Sequence, residues 1–143
     1  MRKLTYIVTG LVALASSAAL AGTVQPQKVI ADEVNNTASG DQVTARYSDN
    51  KVEYIGCGIR KISDGAGGFL HFGFCQARDR DEVEVRCFSQ DAELLDTISS
   101  SADYGFITFS WNDPEEKDGS AECTRIGFSN QSFYLPTGLG SNE

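Results

Sequence analysis

From Gln42 onward the chain alternates apolar and polar side chains with a period of two, the repeat of a strand that is buried on one face. Val43, Ala45 and Tyr47 alternate with polar neighbours and predict a first strand. Val52–Ile62 predicts a second, with Ile55, Cys57 and Ile59 on one side and Gly56 and Gly58 on the other. Asp64–Gly68, three glycines in five residues, reads as a turn that uses glycine's freedom in φ. Val83, Val85 and Cys87 then alternate strictly with Glu84 and Arg86, giving one dry and one wet face. A hairpin around Arg78–Asp81 that sets Cys75 opposite Cys87 also sets Ala77 opposite Val85 and Gln76 opposite Arg86. The same register brings Phe74 beside Phe88, with Phe72 and Leu70 further along that second face. One end of this sheet is therefore apolar on both faces, and something must cover the extra one. The segment Asp91–Ser99 is the predicted lid, a short helix with Asp91 as its N-cap and a stripe of Leu94, Leu95 and Ile98.

After the lid, Tyr104–Trp111 reads as a strand with Ile107, Phe109 and Trp111 on one face. Asn112–Ser120 is an acidic loop, Ala121–Phe128 its hairpin partner, and Ser132–Leu135 a last edge strand stopped at Pro136. Residues 22–41 hold Pro26, Asn35, Asn36, Ser39 and Gly40 without a clean period, which predicts a flexible leader with one short strand at Lys28–Ala31. The expected fold class is mainly β, an antiparallel sandwich or small barrel-like sheet with one short helix, stapled by disulfides. It occupies residues 42–136 as a single domain, and residues 137–143 form a tail.

The first 21 residues do not follow the strand pattern. Arg2 and Lys3 precede a mostly apolar run from Leu4 to Leu14, and small residues lead to Ala19-Leu20-Ala21, an A-x-A cleavage pattern. Residues 1–21 are thus expected to be a cleaved signal peptide, which places the mature chain in the periplasm or outside the cell. The apolar run is shorter than the ~20 residues that a spanning helix needs, so no membrane insertion is expected after cleavage. Removing Arg2 and Lys3 with the leader leaves ten basic against 20 acidic residues, a net charge of −10 against −8 for the whole chain. Such a charge repels phosphate backbones and excludes nucleic acid as the expected partner. A solubilising role is the simplest reading, for a monomer.

Four cysteines, Cys57, Cys75, Cys87 and Cys123, follow the leader. An even count after an export signal reads as two disulfides, and no pair has the tight spacing of a structural zinc site. Three pairings are possible. The hairpin register favours Cys75–Cys87, leaving Cys57–Cys123.

The residues that could carry chemistry are few, and no cofactor or metal motif stands out. His71 is the only histidine, so a multi-histidine metal centre is ruled out. Glu53, Glu82 and Glu84 are available as carboxylates for acid/base work, but the alternation exposes Glu82 and Glu84, and solvated carboxylates are poor general acids near neutrality. Asn112–Ser120 is dense in oxygen ligands for Ca²⁺, but Lys117 stands where a ligand is wanted. Asn35-Asn36-Thr37 and Asn130-Gln131-Ser132 match the glycan acceptor pattern. Trp111, ending its strand beside Asn112 and Asp113, forms with Tyr104 the candidate contact patch for a sugar or a protein. The pattern fits a non-enzymatic binding module for a protein or glycan. A small hydrolase using carboxylates or His71 is the first alternative. An inhibitor or envelope factor presenting Asp64–Gly68 or Asn112–Ser120 is the second.

Overall fold

The computed structural model describes residues 23–101, 103–112 and 121–136. The alternating segments form one curled seven-stranded sheet with the order β1-β2-β6-β7-β5-β4-β3. Its strands are β1 (Ile30–Asp32), β2 (Thr37–Asp41), β3 (Tyr54–Ser63), β4 (Phe69–Arg78), β5 (Glu84–Ser89), β6 (Phe106–Trp111) and β7 (Ala121–Ser129). Every neighbouring pair is antiparallel except β5 and β7, which run parallel and are held in register at Cys87–Ala121 and Phe88–Glu122. The mainly β, disulfide-stapled class therefore holds, with the sheet mixed rather than purely antiparallel. The sheet curls until β1 approaches β4 and β2 approaches β3. One continuous core fills the inner side, built on Ile107, Phe109, Cys75 and Cys87, all essentially buried.

The β4–β5 hairpin has the expected register: Cys75 faces Cys87, Ala77 faces Val85, Gln76 faces Arg86 and Phe74 faces Phe88. The disulfides nevertheless differ from expectation, joining Cys57 to Cys75 and Cys87 to Cys123. Ladder geometry explains this. In a strand both polar groups of one residue point to the same neighbour, so a residue in a hydrogen-bonded pair on one side is in a narrow, non-bonded pair on the other. The bond from Asp79 N–H to Val83 C=O, 3.1 Å, closes the β4–β5 ladder and makes its odd-numbered β4 residues the bonded ones. Cys75 thus sits in a wide pair with Cys87 and a narrow pair with Cys57, at a Cα separation of 4.0 Å. Cys87 bonds instead to Cys123 on the parallel neighbour, at 5.0 Å.

Four further expectations change. Within the expected leader, β1 and β2 form a hairpin, and Val29 is buried in the core. Gln42–Arg46 is a helix, α1, not a strand, because buried Asp41 caps it. The Asp41 carboxylate accepts from Thr44 N at 2.7 Å, from the Thr44 hydroxyl, and from Gln27 N at 2.7 Å. A capped first turn satisfies backbone donors that an alternating pattern of only three apolar positions cannot. Ser132–Tyr134 is a single 3₁₀ turn rather than an edge strand. Finally α2 (Ala92–Ser99), capped by Asp91 as expected, packs on the cysteine-bearing face and not over the phenylalanines. Its Leu95 and Ile98 lie directly on Gly73, where a methyl group would sit 2.6 Å from Ile98 Cδ1. Among the described residues no helix is long and apolar enough to cross a membrane.

Candidate functional site: the outer face of β3, β4 and β5

Because α2 occupies the inner face, the second apolar face remains on the outside. β3 and β4 are ten residues each, whereas β5 pairs only with Gly73–Arg78. Beyond Gly73 the β3–β4 hairpin continues as a two-stranded ribbon closed by Asp64–Gly68. On its outer face Ile62 pairs with Leu70, and Arg60 with Phe72. Phe72 packs on Phe88 with ring centroids 6.1 Å apart and planes tilted by 57°, and Phe74 pairs with Phe88 in register. The result is a stripe of five apolar side chains, Ile62, Leu70, Phe72, Phe74 and Phe88. Ile62 and Leu70 are 51% and 48% exposed, and the three rings are half-buried. Contiguous apolar surface of this kind marks an interaction site more often than scattered single residues do.

A cation lies over an aromatic ring on each face of the ribbon. The Arg60 guanidinium lies 4.9 Å from the Phe74 ring centroid, and Lys61 Nζ lies 5.0 Å from that of Phe69 on the ribbon's other face. Arg78 pairs with Glu82 at 2.6 Å, and Arg86 with Glu84 at 3.3 Å. Tyr54 lies at the far end, where partial burial, and after it the Glu84 carboxylate, push the phenol above its ordinary range. Gly58 is required beneath Phe74: a methyl group there would meet the ring at 3.0 Å. The tip is tied by Asp64, whose carboxylate accepts from Ala66 N at 2.8 Å and Gly68 N at 2.9 Å, and these bonds hold it below the usual carboxylate range.

Of the patch expected from sequence, Trp111 and Tyr104 lie at opposite ends of β6. Trp111 is half-buried on the inner face beside Phe109, centroids 5.8 Å apart. Asn112 closes β6 onto β7, with N–H donating to the Glu122 carbonyl at 3.1 Å and Oδ1 accepting from Glu122 N at 2.9 Å. Tyr104 lies before the opposite end of β6 and shares a concavity with Tyr47 and Arg46 instead. It adopts φ 63°, in the left-handed region. Asp113 and the rest of the acidic loop through Ser120 lie outside the described residues. His71 is exposed on the ribbon opposite Lys61. Glu53 lines an open concavity of about 430 Å³ near α1. Its carboxylate is already engaged by Asn50 Nδ2 at 2.6 Å and Val29 N at 3.3 Å. Glu82 and Glu84 pair with arginines, as above.

Leu70, Phe72, Phe74 and Phe88 were legible in sequence as a second apolar face, but with a helix as their cover; Ile62 was legible only as a strand end, Tyr47 only as a strand residue, and Arg60 carried no expected role. The described residues thus define a disulfide-braced β domain in which none of them covers the outer face of β3, β4 and β5. No family model, curated protein or solved structure matches the chain, so its function is argued from these residues.

Proposed function

We propose that the chain is a non-enzymatic, exported binding module whose contact surface is the outer face of β3, β4 and β5, and that its partner is a protein with acidic groups beside apolar ones. The single observation behind this reading is that α2 packs on the inner face and leaves Ile62, Leu70, Phe72, Phe74 and Phe88 without a cover from the described residues. The signal-peptide pattern and the two disulfides support an oxidising compartment. A protein fits the face better than a glycan does. The rings of Phe72 and Phe88 are tilted by 57°, so they offer no common plane on which sugar rings can stack. Arg60 on this face, and Lys61 beside it on the other face of the ribbon, supply local positive charge in a chain of net charge −8, which selects an acidic partner and speeds its encounter.

The test is a photo-crosslinker placed at position 72, with position 47 in the α1 concavity as comparison, in producing cells. The reading expects one adduct at 72, an acidic protein by mass spectrometry, lost when Phe88→Ser is added. Adducts at 47 alone, or an adduct at 72 indifferent to Phe88→Ser, contradict it.

A further inference from the structure

The edge of the sheet next to the stripe has the features of a docking strand. β3 ends the strand order, and β4 is its only strand neighbour among the described residues. The hairpin's closing bond, Asp64 N–H to Gly68 C=O at 3.1 Å, fixes the ladder's phase: even-numbered residues of β3 bond to β4. The N–H and C=O groups of Cys57, Ile59 and Lys61 therefore point away from β4, and among the described residues no backbone hydrogen bond ties them to another element. A free edge of this kind is a template for another strand, and proteins usually blunt it with charge. Here the blunting is local and removable. Arg60 Nη1 donates back to the outward-pointing Ile59 carbonyl at 3.1 Å while its guanidinium lies over Phe74.

The outer-face positions of β3 on this edge are Gly56, Gly58, Arg60 and Ile62. A methyl group on Gly56 would meet nothing within 4 Å, and the nearest atoms to one on Gly58 belong to the Phe74 ring and the Arg60 side chain. An added strand places its outer-face side chains directly opposite these residues. A side chain opposite Gly58 reaches the Phe74 ring across the glycine, which has no side chain in the way. One opposite Arg60 can offer a carboxylate that draws the guanidinium off Phe74 and the Ile59 carbonyl. Lys61, next along, presents a second cation on the other face. Strand addition of this type takes affinity from main-chain bonds and specificity from alternate side-chain sites.

We infer that the partner engages this domain as an extended segment added to the edge of β3 over Cys57–Lys61, with an apolar residue opposite Gly58 and acidic residues opposite Arg60 and Lys61. This rests on the protein-binding reading above and names its geometry. The probe is a capped seven-residue peptide of threonine, two glutamates, three valines and threonine. Its controls are the same peptide with lysines for glutamates and one N-methylated at alternate residues. At saturation the glutamate peptide is expected to slow amide exchange of Cys57, Ile59 and Lys61 by about tenfold or more, leaving Gly58 and Arg60, already bonded to β4, unchanged. Arg60→Glu, at an exposed position, is expected to reverse the preference between glutamate and lysine peptides. Absence of binding at millimolar peptide, equal binding of the N-methylated peptide, or no reversal with Arg60→Glu overturns the inference. Peptide that shifts the Phe72 and Phe88 signals without slowing the edge amides overturns the strand geometry while leaving the surface reading intact. Binding that is indifferent to Phe88→Ser removes the surface reading itself.

Discussion

Asp41 shows how much one polar residue can organise here. It is buried, and its carboxylate joins the leader at Gln27 to the first turn of α1 at Thr44. Asp41→Ala leaves the two amides without their acceptor and is expected to cost about 2–3 kcal/mol, measured by urea unfolding. Gly40 is constrained as tightly, since a methyl group there would lie 2.9 Å from the Val29 Cα, a backbone atom that cannot rotate aside. Asp64 acts locally at the ribbon tip. Its folded-state pKa is depressed by the Ala66 and Gly68 amides. The turn's extra stability is therefore fully present above the unfolded value near 3.9, and is lost only as pH falls through the lower folded value. The Ala66 and Gly68 amide shifts should titrate together with a midpoint below about 3.9; a midpoint at or above it contradicts the hydrogen-bond assignment. These roles were hard to read in sequence. An aspartate before three alternating apolar residues can cap a helix or precede a strand, and only the burial of its carboxylate decides which.

At the scale of elements, the hairpin register of β4 and β5 was legible and the disulfides were not, for a reason that lies in the same hairpin. Alternation specifies which residues face each other, but not whether a facing pair is wide or narrow. Cys75 faces a cysteine on both sides, and only the narrow side suits a direct bridge. The turn-closing bonds at Asp64 and Asp79 carry that phase. Cys87–Cys123 is the covalent tie across the short parallel pair and closes 36 residues of sequence. Replacing both cysteines with alanine should lower stability by about 4 kcal/mol on the chain-entropy view. The same replacement at Cys57 and Cys75, 18 residues apart, should cost about 3 kcal/mol. Calorimetry of the two double variants checks the order. The helix was foreseen with its cap and stripe, but a stripe of Leu94, Leu95 and Ile98 does not say which face of the sheet it will meet. Gly73 decides it, because the missing side chain opens the inner face to Leu95 and Ile98.

For the whole molecule, the consequence is an asymmetric distribution of apolar residues. Phe109, on the inner face, is fully buried, and Phe109→Ala is expected to destabilise by about 3–5 kcal/mol. Phe72, on the outer face, is half-buried, and Phe72→Ser is expected to cost about 1 kcal/mol or less, because little new surface is exposed. Large rings held where they are expected to add little to folding are available for the contact proposed above. The mainly β class was legible because period-two alternation survives in nearly every strand. The exposed face was not, because a sequence shows that a surface is apolar without showing what lies on it.

Hydroxyl-radical footprinting of the purified protein, read residue by residue in the mass spectrometer, tests that asymmetry most directly. Leu70 and Phe72 should be oxidised at rates within a few-fold of the exposed Tyr47, while Ile107 and Phe109 remain unmodified. If Leu70 and Phe72 are instead as protected as Phe109, the outer face is covered by the chain itself and is not a binding surface.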